Sequence, residues 1–249
     1  MIGSSKLKKG FRRRWNHPDR VAGWVNSGLN IEFNDPACRA AWMAVLCRAV
    51  AGAPVRDVLD VGTGPGTIAQ LWAEMGCRTT GMDFAPAMLK AGDAAATKKR
   101  LSIAFVEGDA EAPPFSRKRF DVISSRFVLF TLPHPGYAVR RWVQLLRPNG
   151  RIVLIGHEHP PEAKARPRGW KQRPKWRPDK QHQEALRQLP FVDHSPGDLI
   201  VVLEAAGLRD IQRVPMDEVI TARMSLCKRQ PSLEVFRNNP FILVGRKEP

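Results

Sequence analysis

The sequence predicts a doubly wound α/β domain on a largely parallel sheet, and three observations carry that prediction. Short apolar runs alternate with helix-patterned segments between residues 56 and 156. The first run, Val58-Leu59-Asp60-Val61, opens into Gly62-Thr63-Gly64-Pro65-Gly66, with a glycine at every second position. Acidic residues then mark the ends of three successive strands: Asp60 in the first, Asp83 closing the second and Asp109 just after the third. Ligands of such sheets bind beyond the carboxyl ends of the strands, at the point where strand order reverses.

The elements follow in order. Residues 1–34 mix basic residues with Trp15, Trp24, Gly23 and Gly28 and show no clean period, which predicts a partly ordered basic arm before a domain spanning 35–249. Asp35 and Pro36 supply an N-cap and a first helical residue, and Ala40, Ala41, Val45, Leu46 and Val50 continue a helix toward Gly52. Val58, Leu59 and Val61 have the apolar character of a strand buried on both faces. A helix from Thr67 to Met75 stops at Gly76, and residues 78–83 form the second strand, completing a right-handed βαβ unit. Ala85-Pro86 opens the next helix, to about Ala96. Strands follow at Ile103 to Glu107 and Phe120 to Ser125. His134 as cap and Pro135 begin a helix to Leu146, and Pro148-Asn149-Gly150 turns the chain into a strand from Arg151 to Gly156. An insertion at about 157–195, rich in Pro, Lys and Arg, interrupts the pattern before a helix from about Pro196 to Ala206. Candidate strands lie at Leu208–Val214 and Phe241–Arg246, with a loop from Pro231 to Pro240 between them.

Composition bounds the function. At 249 residues and 43% apolar content the chain builds its own core without covalent staples. Cys38, Cys47, Cys77 and Cys227 have no zinc-site spacing, so no metal is expected and a reducing, cytoplasmic setting fits. No run reaches the roughly 18 apolar residues of a membrane span. The net charge of +16 is concentrated: residues 1–20 carry +6 and residues 164–180 carry +7. Two basic extensions of this kind suit a polyanion, an acidic peptide, a phosphorylated substrate or a membrane surface, or serve only as solvated surface.

The glycines permit a tight turn and a close backbone approach to a ligand. A carboxylate at the end of the second strand accepts both hydroxyls of an adenosine ribose, which selects Asp83. Asp109 is placed to accept from an adenine amino group and the Ala110 N–H to donate to the ring. A dinucleotide fits less well, since the glycines run GxGxG rather than GxGxxG.

Taken together, VLDVGTGPG, GMDFAPAML, VEGDAEAPPF, FDVISSRFVLFTLPHP and LLRPNGRIVLIG, ordered across residues 56–156, resemble the class I S-adenosylmethionine-dependent methyltransferases, in the group that includes UbiE-like and type 11 domains. The resemblance implies a Rossmann-like seven-stranded sheet with a reversed last strand and a cap formed partly by the N-terminal segment. It implies S-adenosyl-L-methionine as cofactor. Asp60 is then placed at its amino end, Gly62, Thr63 and Gly64 beneath it, Asp83 at the ribose, Phe84 against the adenine, Asp109 and Ala110 at the adenine edge, and Ser125 and Arg126 beside the methionine moiety. Trp24 is a candidate for the cap. Where many relatives carry a His pair this chain has Phe130 and Thr131, and His134 stands at a position usually acidic.

Methyl transfer is an in-line displacement in which alignment supplies much of the rate. A base is needed only for a weakly acidic acceptor, and His157, Glu158 and His159, after the fifth strand, are the candidates, with the two histidines foremost. For His134, helix capping is the simpler role. The favoured acceptor is a small molecule or a natural-product peptide, methylated at O, N or C. Trp170 and Trp176 among the basic residues leave RNA as an alternative partner, and a non-catalytic scaffold as another.

Overall fold

The structure, a computed structural model, describes residues 4–158, 180–191, 194–230 and 239–249. His159, Trp170, Trp176 and, apart from the backbone of Lys180, the basic segment 164–180 lie outside these residues.

The N-terminal segment is more regular than its lack of period suggests. It forms α1 (Ser4–Trp15), α2 (Pro18–Val25), the short α3 (Gly28–Ile31) and a 3₁₀ turn, Glu32–Asn34. Leu7 and Phe11 of α1 are buried with Leu189, and Trp15, Phe84 and Leu186 pack beside them. Leu7, Phe11 and Trp15, four residues apart, are a helical stripe. Its apolar partner comes from nearly 180 residues further along, so no local window displays the whole pattern.

The remaining elements are α4 (Pro36–Ala49), β1 (Asp57–Val61), α5 (Thr67–Glu74), β2 (Arg78–Asp83), α6 (Pro86–Lys98), β3 (Ile103–Glu107), β4 (Phe120–Arg126), α7 (Pro135–Leu145), β5 (Leu146–Glu158), α8 (Lys180–Arg187), α9 (Pro196–Ala205), β6 (Leu208–Val214), α10 (Asp217–Arg229) and β7 (Asn239–Lys247). Asp35 caps α4 as its sequence requires, accepting from the Cys38 N–H at 3.0 Å. His134 does not cap α7 with its side chain; its backbone N–H donates to the Glu111 carboxylate at 2.6 Å instead. Pro148-Asn149-Gly150 lies inside β5 as an irregularity, with Phe120 paired to Leu146 and Val122 to Arg151, and Asn149 at φ 61°. His157 and Glu158 belong to that strand and pair with Pro240 and Asn239.

The seven strands are ordered β3-β2-β1-β4-β5-β7-β6, and β7 runs antiparallel to both neighbours. Side chains alternate across the sheet. Leu59, Ile123, Ile152, Leu154 and Leu243 face α7 and α9, while Val58, Val122, Val153, Ile155 and Val244 face α4, α5 and α10. Both faces are thus apolar, which is why the strands read as continuous runs. Order reverses between β1 and β4, and the crevice at their carboxyl ends is roofed by α1 and α2 and, through Leu186, by α8. Among the described residues, no helix is long and apolar enough to cross a membrane.

Candidate active site

A cavity of about 340 Å³ occupies that crevice. The turn after β1 forms its floor, with Gly62, Gly64 and Gly66 at φ 66°, 54° and 73°, a left-handed backbone that favours glycine. A side chain at 62 is also excluded by space, because its Cβ would lie 2.0 Å from Val128 Cγ2. At Gly64 the nearest atom is the Trp24 indole nitrogen, 3.6 Å from where a Cβ would stand, so the cap rests directly on the turn.

Asp83 ends β2 on the cavity wall. Its Oδ2 accepts from the Gly64 N–H and its Oδ1 from the Ala85 N–H, each at 2.9 Å, so the turn and the carboxylate hold one another. Burial pushes its pKa up to about 6, against the lowering effect of those donors. Gly108, Asp109, Ala110, Phe84, Met82 and Met88 line the neighbouring part of the wall. The Ala110 carbonyl is fixed by the Trp142 indole at 2.7 Å. Asp109 accepts from the Glu111 N–H at 2.9 Å and from Lys8 Nζ of α1 at 2.7 Å. Lys8 also pairs with Glu111 at 2.5 Å. Burial draws the Lys8 ammonium down, but these two carboxylates outweigh it and the net shift is upward.

Arg126 closes the other end. Burial lowers its pKa to about 10, with Glu32 and Asp60 acting in the opposite sense, and Asn30 Oδ1 accepts from its Nη2 at 2.6 Å. Phe127 follows at φ 62°, a costly backbone for an aromatic residue. Its ring lies on the cavity wall and 4.6 Å from the His157 ring. Val128, Phe130, Leu132, Pro133, Phe11 and Leu186 continue an apolar surface, to which Thr131, Trp15 and Arg20 add edges.

Of the residues expected at the site, Trp24, Gly62, Gly64, Asp83, Phe84, Asp109, Ala110 and Arg126 share this cavity. Asp60, Thr63 and Ser125 stand behind its wall. Asp60 is 2% exposed and accepts from Thr63 Oγ1 at 2.7 Å and Ser124 Oγ at 2.8 Å. Burial raises its pKa to about 6. Ser125 donates to the Val61 carbonyl, tying β4 to β1. His157 does not line the cavity. Its Nε2 lies 3.3 Å from Arg223 Nη2, and the Phe127 ring stands against its own. Glu158 pairs with Arg213 on β6. His159 lies outside the described residues. Among the described residues no cluster could hold a metal ion.

The structure adds residues outside the motifs, Lys8, Asn30, Glu32 and Arg223, and gives Glu111, within VEGDAEAPPF, contacts with Lys8 and the His134 N–H. For Lys8 a signal existed, since Lys8, Phe11 and Trp15 fall on one helical face. For Arg223 the acidic first turn and basic last turn of α10 mark the helix, though not what it touches.

Comparison with known proteins agrees with the geometry. A family profile described as "Methyltransferase domain" matches residues 59–154. A demethylmenaquinone methyltransferase of Renibacterium salmoninarum is 33% identical over 119 residues, 48% of each chain. A nocamycin O-methyltransferase of Saccharothrix syringae is 34% identical over 147 residues, 57% of this chain and 50% of that one. The chain thus spans about half the length of the curated relatives it matches. Phosphoethanolamine N-methyltransferase 2 of Haemonchus contortus, solved with S-adenosyl-L-methionine, superposes with a TM-score of 0.65 at 14% identity, covering 96% of this chain and 60% of that one, a likeness of fold. Residues 59–154 thus match a methyltransferase-domain family and are similar in sequence to demethylmenaquinone methyltransferases, a likeness to the UbiE-like group of class I S-adenosylmethionine-dependent methyltransferases.

Proposed function

We propose that this protein methylates a small-molecule acceptor whose reactive end is apolar or aromatic. One observation carries the reading: the residues suited to the cofactor and an apolar, largely aromatic wall share a single cavity. The residues present fit S-adenosylmethionine. A glycine turn too tight for any Cβ at 62 leaves backbone in reach, Asp83 presents a carboxylate on the cavity wall, and the cavity falls within the roughly 300–1,000 Å³ usual for small-molecule sites. When bound, the cofactor supplies a methyl group on a sulfonium, open to displacement by a nucleophile.

In this reading Asp83 holds the ribose hydroxyls, Phe84 and Met88 flank the adenine, and Asp109 with the Ala110 N–H reads its edge. Gly62 and Gly64 pass beneath the chain that joins ribose to methionine. Arg126, a buried cation, faces the carboxylate end, and Asp60 supports the turn from behind through Thr63. Residues 4–34 serve as the cap, with Lys8, Phe11, Trp15 and Trp24 excluding water. Phe127, Val128, Phe130 and Leu132 hold the acceptor against the methyl group, so their contribution is alignment. The carboxylates among the described lining residues are Asp83 and Asp109, both on the cofactor side, and no imidazole lies among them. An ionised phenol or enol is the acceptor that these described walls suit, since alignment against the methyl group is what they supply.

The named relatives act on small molecules according to their names, demethylmenaquinone and nocamycin among them, which supports this acceptor class over RNA. The test is methyl transfer from labelled S-adenosylmethionine to a panel of phenols, quinols and enols, beside short RNAs and basic or acidic peptides. Turnover on an apolar hydroxylated aromatic is expected. Transfer to RNA alone, or no thermal shift with S-adenosylhomocysteine, would overturn the reading.

A further inference from the structure

We infer that Asn30 is the positioning residue that assembles the methionine end of the site, holding the cap, the glycine turn and the β4 arginine in one arrangement. The inference rests on the methyltransferase reading above and assigns a role to a residue outside every sequence motif.

Asn30 lies on α3, 6% exposed. Its Oδ1 accepts from Thr67 Oγ1 at 3.0 Å and from Arg126 Nη2 at 2.6 Å. Its Nδ2 donates to the Trp24 carbonyl at 2.6 Å and lies 3.4 Å from Ser27 Oγ. Two lone pairs and two N–H bonds are the full capacity of a primary amide, and all are engaged. The orientation is fixed by its neighbours, because a guanidinium can only donate and a carbonyl can only accept.

The partners belong to segments distant in sequence, and each governs part of the cavity. Trp24 brings its indole over Gly64. Thr67 is the first residue of α5, directly after the glycine turn. Arg126 ends β4 and lines the cavity 96 residues away from Asn30 in the chain. An amide joins a carbonyl to a guanidinium, and neither a carboxylate nor a hydrophobic side chain of this size does both. Asn30 thus makes the seating of Trp24 and the aim of Arg126 one event instead of two. It acts through these residues and is not placed in contact with reacting atoms.

The test is a set of double-mutant cycles read by calorimetric binding of S-adenosylhomocysteine to the full chain. Asn30→Ala is expected to weaken binding about tenfold, the scale of a lost hydrogen bond to a charged group. In the Trp24→Ala and Arg126→Ala backgrounds that loss is expected to shrink several-fold, whereas with Asp109→Ala, at the far end of the cavity, it adds in full. Asn30→Asp guards against a misfolded Ala variant: its carboxylate still accepts from Thr67 and Arg126 but cannot donate to the Trp24 carbonyl. Its binding defect should shrink in the Trp24→Ala background, which keeps the backbone carbonyl but removes the indole that it positions. Wild-type binding with Asn30→Ala losses that add fully in all three backgrounds would reduce Asn30 to a stability element and overturn the inference. No binding by the wild-type chain would instead overturn the methyltransferase reading.

Discussion

Arg223 of α10 grips Glu32, the first residue of the 3₁₀ turn, through Nε and through Nη2 at 2.7 Å, and both side chains are buried, at 3% and 0% exposure. The pair ties the segment carrying Asn30 to a helix 191 residues further along, and Arg223 Nη2 also reaches His157. Removing one member leaves a buried charge without its partner. Glu32→Ala or Arg223→Ala is expected to cost about 3–5 kcal/mol in urea unfolding. The double replacement Glu32→Leu with Arg223→Met should cost less than either, since it leaves neither member of the pair without the other.

Gly62 and Val128 meet too closely for any larger residue at 62. Gly62→Ala combines a left-handed backbone at φ 66° with a Cβ 2.0 Å from Val128 Cγ2. A loss of at least about 1–2 kcal/mol is expected from the backbone alone, with more from the clash. Adding Val128→Ala should recover the clash and leave the backbone cost. A thermal melt of the two variants separates the contributions.

Asp60 makes stability depend on pH. Its folded pKa of about 6 lies above the ordinary 3.8 because burial penalises the charged form. A group raised in this way contributes fully below about pH 4 and loses that contribution as pH rises through 6. Two pKa units correspond to about 3 kcal/mol as an upper figure. Asp60→Asn keeps hydrogen bonds to Thr63 and Ser124, whose hydroxyls can reverse. It is therefore expected to stabilise the unliganded protein at pH 8, by on the order of 1–3 kcal/mol, and to leave it unchanged near pH 3.5. Urea midpoints at the two pH values check the sign.

Asp83 links pH to the cofactor. Its pKa of about 6, raised by burial, means that it is half protonated near pH 6, and a carboxylic acid accepts ribose hydroxyls less well than a carboxylate. S-adenosylhomocysteine affinity should therefore rise from pH 5 to pH 7 and then level off. Asp60 also raises Asp83, as the least of the causes of its shift. Asp60→Asn should move the profile toward lower pH, and Asp83→Ala should abolish the cofactor-induced thermal shift. An affinity unchanged across that range would remove Asp83 from the binding role.

Much of the central sheet was legible because the signals are local. Residues 103–107 stand as a strand in both views, and Asp35, Pro36 and Gly76 bound their helices as their chemistry requires. The helices of the N-terminal roof were not legible, although the resemblance implied a cap there with Trp24 in it. Gly10 and the basic residues break the composition of α1, and the partner of its apolar stripe, Leu189, lies across the chain. Asn30, Glu32 and Arg223 belong to no local pattern, since hydrogen bonds spanning 96 and 191 residues leave no periodicity behind.

Sequence alone determined the glycine turn opening at Gly62 and the carboxylate series Asp60, Asp83 and Asp109, because backbone freedom and strand period are properties of neighbouring residues. The tertiary structure decided which of those carboxylates meets the cavity. Asp60, within β1, turns into the layer beneath, where Thr63 and Ser124 consume both its oxygens. Asp83, at the very end of β2, is held at the cavity wall by the N–H of Gly64. The same packing brought α1 over the site and set Asn30 between Trp24 and Arg126. Burial and long-range hydrogen bonding, unlike propensity, exist only once the chain has closed on itself.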